Sequence, residues 1–397
     1  MEIMADVILP RKMLDPDYRK IQPRAPKQWK RTRPFKEKFV SGFQPVAPSR
    51  RSCEWAKDPL YLYEAFENHT RIGQGSFGMV YKVTCKETEE KCAVKISRVN
   101  GIYNWKESVE KLLIYEKVSK HENIVKLYNA WIEDDALYTQ MELCRKSLLQ
   151  FILDNVHMEE HHTWNVMIDI LEALNYIHSQ DFVHLDVKPE NILLGFDDRY
   201  KLADFDLIHD INISVDHIRA GDDKYRAPEV KEDSFQPHPK NDIFSLGMTL
   251  LEMAGDFYLP NGGAQWKQLR RNSFPSSQLK GHVSDTLINV LHLMLRKDIQ
   301  DRPSAEELLN HEDVYDRKMQ RLQILPPESS VVRRFVDHNA MKLQENLEFM
   351  QRLEERAEIS DIENFIRARS QSPDVLDISA EEVSAPKKLK VIRRLFT

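Results

Sequence analysis

The sequence predicts an α+β fold in two lobes, a small β-rich lobe followed by a larger helical one. Short strand-like runs crowd the stretch from Arg71 to Met141, with one helical stretch among them. From residue 147 onward the apolar residues recur mostly at helical spacing. With 397 residues, 41% of them hydrophobic, the chain can bury one large domain and still carry extensions.

Taken in order, residues 1–60 read as a basic, proline-rich tail. Positions 1–55 hold 13 Lys/Arg against 6 Asp/Glu and seven prolines, a composition that does not bury a core. The run Lys27-Gln28-Trp29-Lys30-Arg31-Thr32-Arg33-Pro34 reads as a nuclear-import signal or as a solvated segment. Few aromatics interleave with it, so nucleic acid is not an expected partner. The domain proper is expected over 61–312. Its strands are Arg71-Ile72, Met79–Val83, Cys92–Ile96, Ile124–Leu127 and Leu137–Met141, with a helix from about Asn104 to Ser119. Near Asn310 the globular pattern ends, and Pro326-Pro327 punctuates the exit. Within the extension 313–397, Val336, Ala340, Leu343, Leu347, Met350 and Ala357 form one stripe, broken by Glu354. That is short for a coiled coil, and a helix docked on the domain or a dimer zipper would both fit it. Residues 370–386 read as a polar linker.

The charge balance of -6, with 30% charged residues and a mean hydropathy of -0.54, describes a soluble chain. No run approaches the roughly 18 apolar residues of a membrane span, and no signal-peptide core opens the sequence. Cys53, Cys85, Cys92 and Cys144 show neither metal-ligand spacing nor disulfide density, which points to a reducing compartment.

The chemistry is carried by four segments. His184-Leu185-Asp186-Val187-Lys188-Pro189-Glu190-Asn191 has the spacing of a protein-kinase catalytic loop. Asp186 would take the proton of an attacking hydroxyl, Lys188 would offset charge on the moving phosphoryl group, and Asn191 would hold Mg²⁺. Ahead of it, Ile72-Gly73-Gln74-Gly75-Ser76-Phe77-Gly78-Met79-Val80 matches the glycine-rich loop that drapes over ATP phosphates. The chain has only 12 glycines, and Gly73, Gly75 and Gly78 are three of them. Strand-like flanks on both sides argue against a dinucleotide site, where a helix would follow at once. Lys95, in Ala93-Val94-Lys95, falls where a kinase grips the α/β-phosphates, and Glu110 is its expected helix partner. Glu107 and Glu116 share that helix, and spacing back from His121 places Lys111 where close relatives would put the glutamate. Asp204-Phe205-Asp206 follows Asp186 by 18 residues and supplies a second Mg²⁺ ligand in Asp204. Its third position is normally Gly, and Asp206 is expected to oppose flipped-out inactive conformers.

Met141 is the expected gatekeeper, with the backbone of Glu142-Leu143-Cys144 as the adenine-binding hinge. Ala227-Pro228-Glu229, Asp242-Ile243-Phe244-Ser245-Leu246-Gly247 and Asp301-Arg302-Pro303 complete the bilobal eukaryotic protein-kinase pattern. That resemblance implies a Glu229–Arg302 ion pair and Asp242 bracing the catalytic loop.

At this point the chain resembles the Wee family, the kinases that restrain cyclin-dependent kinases. The resemblance covers roughly 65–312. It rests on Leu185 in place of the usual Arg, on Gly221-Asp222-Asp223-Lys224-Tyr225, on Leu259-Pro260, Gly263, Trp266 and Leu269-Arg270, and on Asn129–Asp134. It implies phosphorylation of a tyrosine in the ATP loop of a cyclin-dependent kinase, with ATP and Mg²⁺, in the nucleus or cytoplasm. With no apolar span after the domain, the soluble branch is expected rather than the membrane-tethered one. The usual Arg grips an activation-loop phosphate, so residues Asp206–Arg226 are expected to order through their own contacts, and Asp222 to pair with Lys188. Arg393, Leu395 and Phe396 match an Arg-x-Leu-φ motif that docks on cyclins, and Ser372-Pro373 is a proline-directed phosphorylation candidate. Lys-Pro-Glu-Asn is serine/threonine-style, so a kinase of the initiation-factor type remains an alternative. A cyclin-binding pseudokinase scaffold is the other.

Overall fold

The computed structural model describes residues 61–74, 78–98, 101–133, 136–154, 158–213, 221–231, 235–255, 258–271, 279, 283–325 and 339–352. The chain divides into two units, 1–349 and 350–397. The basic N-terminal segment, Ser372 and the Arg393–Phe396 motif lie outside the described residues.

A short helix, α1 (Tyr61–Ala65), leads into a five-stranded antiparallel sheet. Its strands are β1 (Phe66–Gln74), β2 (Met79–Cys85), β3 (Lys91–Arg98), β4 (Leu127–Glu133) and β5 (Ala136–Met141), in the order β1-β2-β3-β5-β4. The two-residue period of β3 explains its place: Cys92, Val94 and Ile96 enter the core with Val83, Tyr128, Trp131 and Tyr138. Trp131 stacks between Phe66 and Tyr138, at 5.9 and 5.2 Å between ring centroids. Ala93 and Lys95 therefore lie on the opposite face, where the register sets Lys95 against Val80 and Ala93 against Met141. Helix α2 (Gly101–Val118) lies between β3 and β4 in the chain and buries Val109, Leu112, Tyr115 and Val118 at helical spacing.

The larger lobe follows with β6 (Lys146–Ser147), α3 (Leu148–Asp154), α4 (Glu160–His178) and β7 (Phe182–Val183). Then come the 3₁₀ turn Pro189–Asn191, β8 (Ile192–Leu194), β9 (Tyr200–Leu202) and β10 (His209–Asp210). Its core is α4 against α5 (Pro239–Ala254), whose residues Asn241–Met253 are all buried. Pro239 opens α5 and His238 forms a capping box with Asn241. Helices α6 (Gly263–Leu269), α7 (Asp285–Met294) and α8 (Ala305–Leu309) complete it.

Past residue 312 the chain continues in helices. Helix α9 (Glu312–Ile324) docks on α4 through Arg321, whose guanidinium reaches Asp169 at 2.6 and 3.2 Å in a buried pair. The same helix buries Val314 completely. A last helix, α10, spans 339–352. Within the first unit it packs on the small lobe: Leu347 is buried, Asn346 donates to Asn129 (3.0 Å) and Lys342 reaches Glu87 (3.4 Å). Ala340, placed on the stripe by its spacing, is exposed, while Val336 and Ala357 lie outside the described residues. A cavity of about 350 Å³ between α10 and the β1–β2 edge is lined by Phe66, Cys85 and Lys342, and none of the four motif segments lines it.

Candidate active site

The catalytic loop is tied down by its backbone. Asp242 on α5 is fully buried, and its carboxylate accepts from the N–H groups of His184 and Leu185 (2.8 Å each) and from His178 Nε2 (2.9 Å). Burial alone would raise its pKa, but these donors outweigh that and hold it below the usual carboxylate value. Leu185 has a left-handed backbone, φ 64°, unfavourable for a branched side chain. The strain persists because its N–H is bonded and its side chain packs with Val183 and Leu207. An apolar contact to the activation segment thus stands where kinases ordinarily place a phosphate-gripping Arg.

Asp186 is itself buried, and its carboxylate gathers three donors. Lys188 Nζ (2.7 Å) and Asn191 Nδ2 (2.8 Å) meet Oδ2, and the Asp222 N–H meets Oδ1 (3.2 Å). Burial works against the Lys188 charge, but the Asp186 carboxylate outweighs it and raises the pKa, so the amine is cationic at neutral pH. Asn191 Nδ2 also donates to the Asp186 carbonyl (2.9 Å), which leaves its Oδ1 as the acceptor. Asp222 is not the partner of Lys188. Its carboxylate caps the following turn by accepting from Lys224 N–H (2.9 Å), and only its backbone reaches the catalytic loop. Gly221 permits that approach, since a Cβ there would collide with Asp186 Oδ1 and the Leu185 carbonyl.

On the small lobe, Lys95 Nζ is 2.7 Å from Asp204 Oδ1 and 2.7 Å from Asp206 Oδ2. Burial disfavours the ammonium, but the two carboxylates more than offset it and its pKa is raised. In return Lys95 holds Asp204 below the ordinary carboxylate value, against burial. Asp204 carries the left-handed backbone (φ 65°) and Asp206 does not, so Asp in the third position costs no such strain.

Glu110 is not the partner of Lys95. It is exposed, because the helical period that buries Val109 and Leu112 turns position 110 outward. Lys111 is half-buried and pairs with Glu107 at 2.5 Å. The helix is nonetheless docked, with Tyr115 stacked on Phe205 at 4.5 Å and its hydroxyl donating to the Val125 carbonyl (2.8 Å).

The remaining expected residues line strands β1 to β5. Gly73 pairs with Val80 across β1 and β2, and Ile72 is exposed. A Cβ at Gly78 would collide with the Ile96 carbonyl, so that position requires glycine. Gly75 lies outside the described residues. Met141 ends β5. The Glu142 N–H donates to the Lys126 carbonyl (2.9 Å), and its buried carboxylate pairs with Lys201 (2.8 Å). Burial pushes the Cys144 thiol well up, which keeps it protonated and poorly nucleophilic.

The donor set suits ATP with Mg²⁺. Asp204 and the free Asn191 Oδ1 are hard oxygen donors, and no cluster of three or more acidic, His or Cys groups makes a protein-only cage among the described residues. Mg²⁺ ordinarily binds to one or two such ligands, completing its shell with phosphate oxygens and water.

Sequence reasoning missed what holds the activation segment. Arg270, at the end of α6, donates to the carbonyls of Asp223 (3.0 Å), Lys224 (2.8 Å) and Arg226 (3.0 Å). Its guanidinium lies over the Trp266 ring at 3.8 Å, and Trp266 Nε1 donates to the Asp223 carbonyl (2.8 Å). The described end of the segment, 221–226, is held by contacts with α6 as well as by its own. Trp266 and Arg270 stood out by resemblance, but their carbonyl partners lie more than forty positions away in sequence. Below it, Arg302 and Glu229 form the ion pair that the resemblance implied (2.8 Å).

A protein kinase domain matches residues 66–313, and the chain belongs to the protein kinase family. Within it, the relatives place the chain among the Wee kinases. It is 38% identical over 269 residues to the membrane-associated tyrosine- and threonine-specific cdc2-inhibitory kinase wee-1.3 of Caenorhabditis elegans, covering 66% of this chain and 38% of that one. The Drosophila melanogaster kinase of the same description is 38% identical over 255 residues, 63% of this chain and 47% of that one. Wee1-like protein kinase 2 of Ailuropoda melanoleuca is 32% identical over 294 residues, 66% and 51%. The chain spans about half the length of these curated relatives, or less. No helix among the described residues is long and apolar enough to cross a membrane.

Proposed function

We propose that the chain is an ATP-dependent protein kinase that phosphorylates a tyrosine in the ATP loop of a cyclin-dependent kinase and so restrains cell-cycle entry. The observation that carries this reading is the convergence of Lys188, Asn191 and the Asp222 amide on the Asp186 carboxylate. That convergence fixes a base next to a cation. The acceptor hydroxyl would give its proton to Asp186 as its oxygen bonds to the γ-phosphorus and the bond to ADP breaks. Lys188 would follow the charge on the transferring group, and Lys95 would hold the α/β-phosphates. Asn191 and Asp204 would hold Mg²⁺, which offsets phosphate charge.

The choice of substrate rests on the relatives, whose names specify cdc2 inhibition and both tyrosine and threonine. The test is a catalytically inactive cyclin-dependent kinase with its cyclin, incubated with the purified chain and Mg·ATP and analysed for phosphoamino acids. Phosphotyrosine is expected, and phosphothreonine or phosphoserine alone would overturn the acceptor. Asp186→Asn should lower turnover by about 10²-fold or more. Equal turnover by that variant would remove Asp186 from the mechanism.

Arg393, Leu395 and Phe396 are proposed to dock the tail on the cyclin. Exchanging Leu395 and Phe396 for Ala should raise KM for the cyclin complex and leave KM for ATP alone. Residence in the nucleus is proposed from the basic run 27–34, and neutralising that run in a tagged chain tests it.

A further inference from the structure

We propose that Asp206 is the positioning residue for Lys95, replacing the helix carboxylate that this fold ordinarily uses, and that Lys111 stands in the vacated helix position. The inference rests on the reading of the chain as an ATP-dependent kinase. In kinases generally, the strand lysine must be paired to a glutamate of the helix that follows it. Here each acidic residue of α2 is otherwise placed: Glu107 on Lys111 (2.5 Å), Glu116 on Lys120 (3.3 Å), and Glu110 exposed.

A swung-out helix does not explain this, because Tyr115 stacks directly on Phe205 of the acidic triplet. Lys95 meets two carboxylates instead, at 2.7 Å each. Asp204 is also the expected Mg²⁺ ligand, so Asp206 is the carboxylate free to stay with the lysine.

The two unusual residues therefore make sense only together. A glutamate at 111 beside Asp206 would crowd three carboxylates around one ammonium. A lysine at 111, itself paired with Glu107, beside glycine at 206 would leave Lys95 with Asp204 alone. As found, Lys95 is held by Asp204 and Asp206 while Lys111 is paired with Glu107, and the chain keeps a paired lysine by taking the second acid from the triplet rather than from the helix.

The experiment compares the full-length chain with Asp206→Asn, Asp206→Gly, Lys111→Glu and the Asp206→Gly/Lys111→Glu double variant. It measures kcat, KM for ATP, affinity for a fluorescent ATP analogue, and thermal melting. Asp206→Asn, close to isosteric, should lower kcat/KM for ATP by about 10²-fold with little change in melting. Asp206→Gly should match it. The double variant should return to within about fivefold of the parent, a coupling that independent sites would not show. Asp206→Asn within about twofold of the parent, or a double variant no better than Asp206→Gly, would overturn the proposal. If the parent itself transfers no phosphate, the kinase reading fails, and the analogue affinities across the same four variants still test the pairing of Lys95.

Discussion

Asp186 and Lys95 sit on a loop and a strand that are secured by different kinds of contact. Around Asp186 the anchors are backbone groups: a fully buried carboxylate, Asp242, takes two main-chain N–H groups, and Arg270 takes three main-chain carbonyls of the activation segment. Around Lys95 they are side chains alone, an ammonium between two carboxylates whose side chains are 28% and 33% exposed. A buried acceptor cannot be moved without orphaning the donors it serves, so the first arrangement tolerates little substitution. A side-chain ion pair can be rebuilt from another position, provided the charges balance. The unusual residues follow this division. In the small lobe the acid has changed position, and in the large lobe Leu185 has replaced a charge by packing while every backbone anchor stays.

Breaking the backbone anchors should therefore have the largest effect. Asp242→Ala leaves three buried donors without an acceptor, and a loss of about 3–5 kcal/mol is expected from urea unfolding, with turnover lost as well. A variant that unfolds at the parent's urea midpoint would contradict the account.

Restoring the ordinary residue should also do harm. Leu185→Arg puts a cation into the Val183–Leu207 cluster with no phosphate to meet it, for a cost of about 2–3 kcal/mol. A stabilised variant would mean that an anion is within reach.

Arg270→Ala is expected to cost less stability, about 1–2 kcal/mol, because the carbonyls it leaves are near the surface and water can replace it in part. Its main effect should be on order in the activation segment, read as faster proteolysis between Asp206 and Arg226 and lower kcat. Unchanged proteolysis would show that the segment is held without α6.

The smallest effect concerns pH. His184 accepts from Asp186 N–H at Nδ1 (3.3 Å) and faces the Ala203 carbonyl through Nε2 (3.1 Å), the pattern of a neutral ring. Burial lowers its pKa below 6.5, more than nearby Asp242 and Asp186 raise it. The unfolded chain therefore takes the proton first. The contribution to stability is complete above about pH 6.5 and falls as the pH drops towards the folded value. The urea midpoint should decrease across that interval, and less so in His184→Gln. An increase on acidification in the parent would contradict the assignment.

Much of this was legible in the sequence, because it depends on local spacing. The period of two in β3 put Lys95 on the face opposite the core, and the order of glycine loop, lysine, catalytic loop and acidic triplet carried the family. The catalytic spacing Asp186–Lys188–Asn191 is short enough for one tight loop to close it, and the structure brings those side chains together. Where spacing ran ahead of contact, at Glu110 and Asp222, the expectation failed. A helix presents a residue outward or inward according to a rotation of 100° per position, which an uncertain helix start does not settle. A carboxylate beside a turn bonds first to the nearest N–H group, as Asp222 does with Lys224.

What tertiary structure alone decided are the partners drawn from far along the chain. Lys95 met its carboxylates 109 and 111 positions later, Arg321 met Asp169 across 152, and Arg270 met Asp223 across 47. No local period encodes such a meeting. It follows from packing that carries two elements together, after which charge and hydrogen-bond geometry select which of the nearby groups pair.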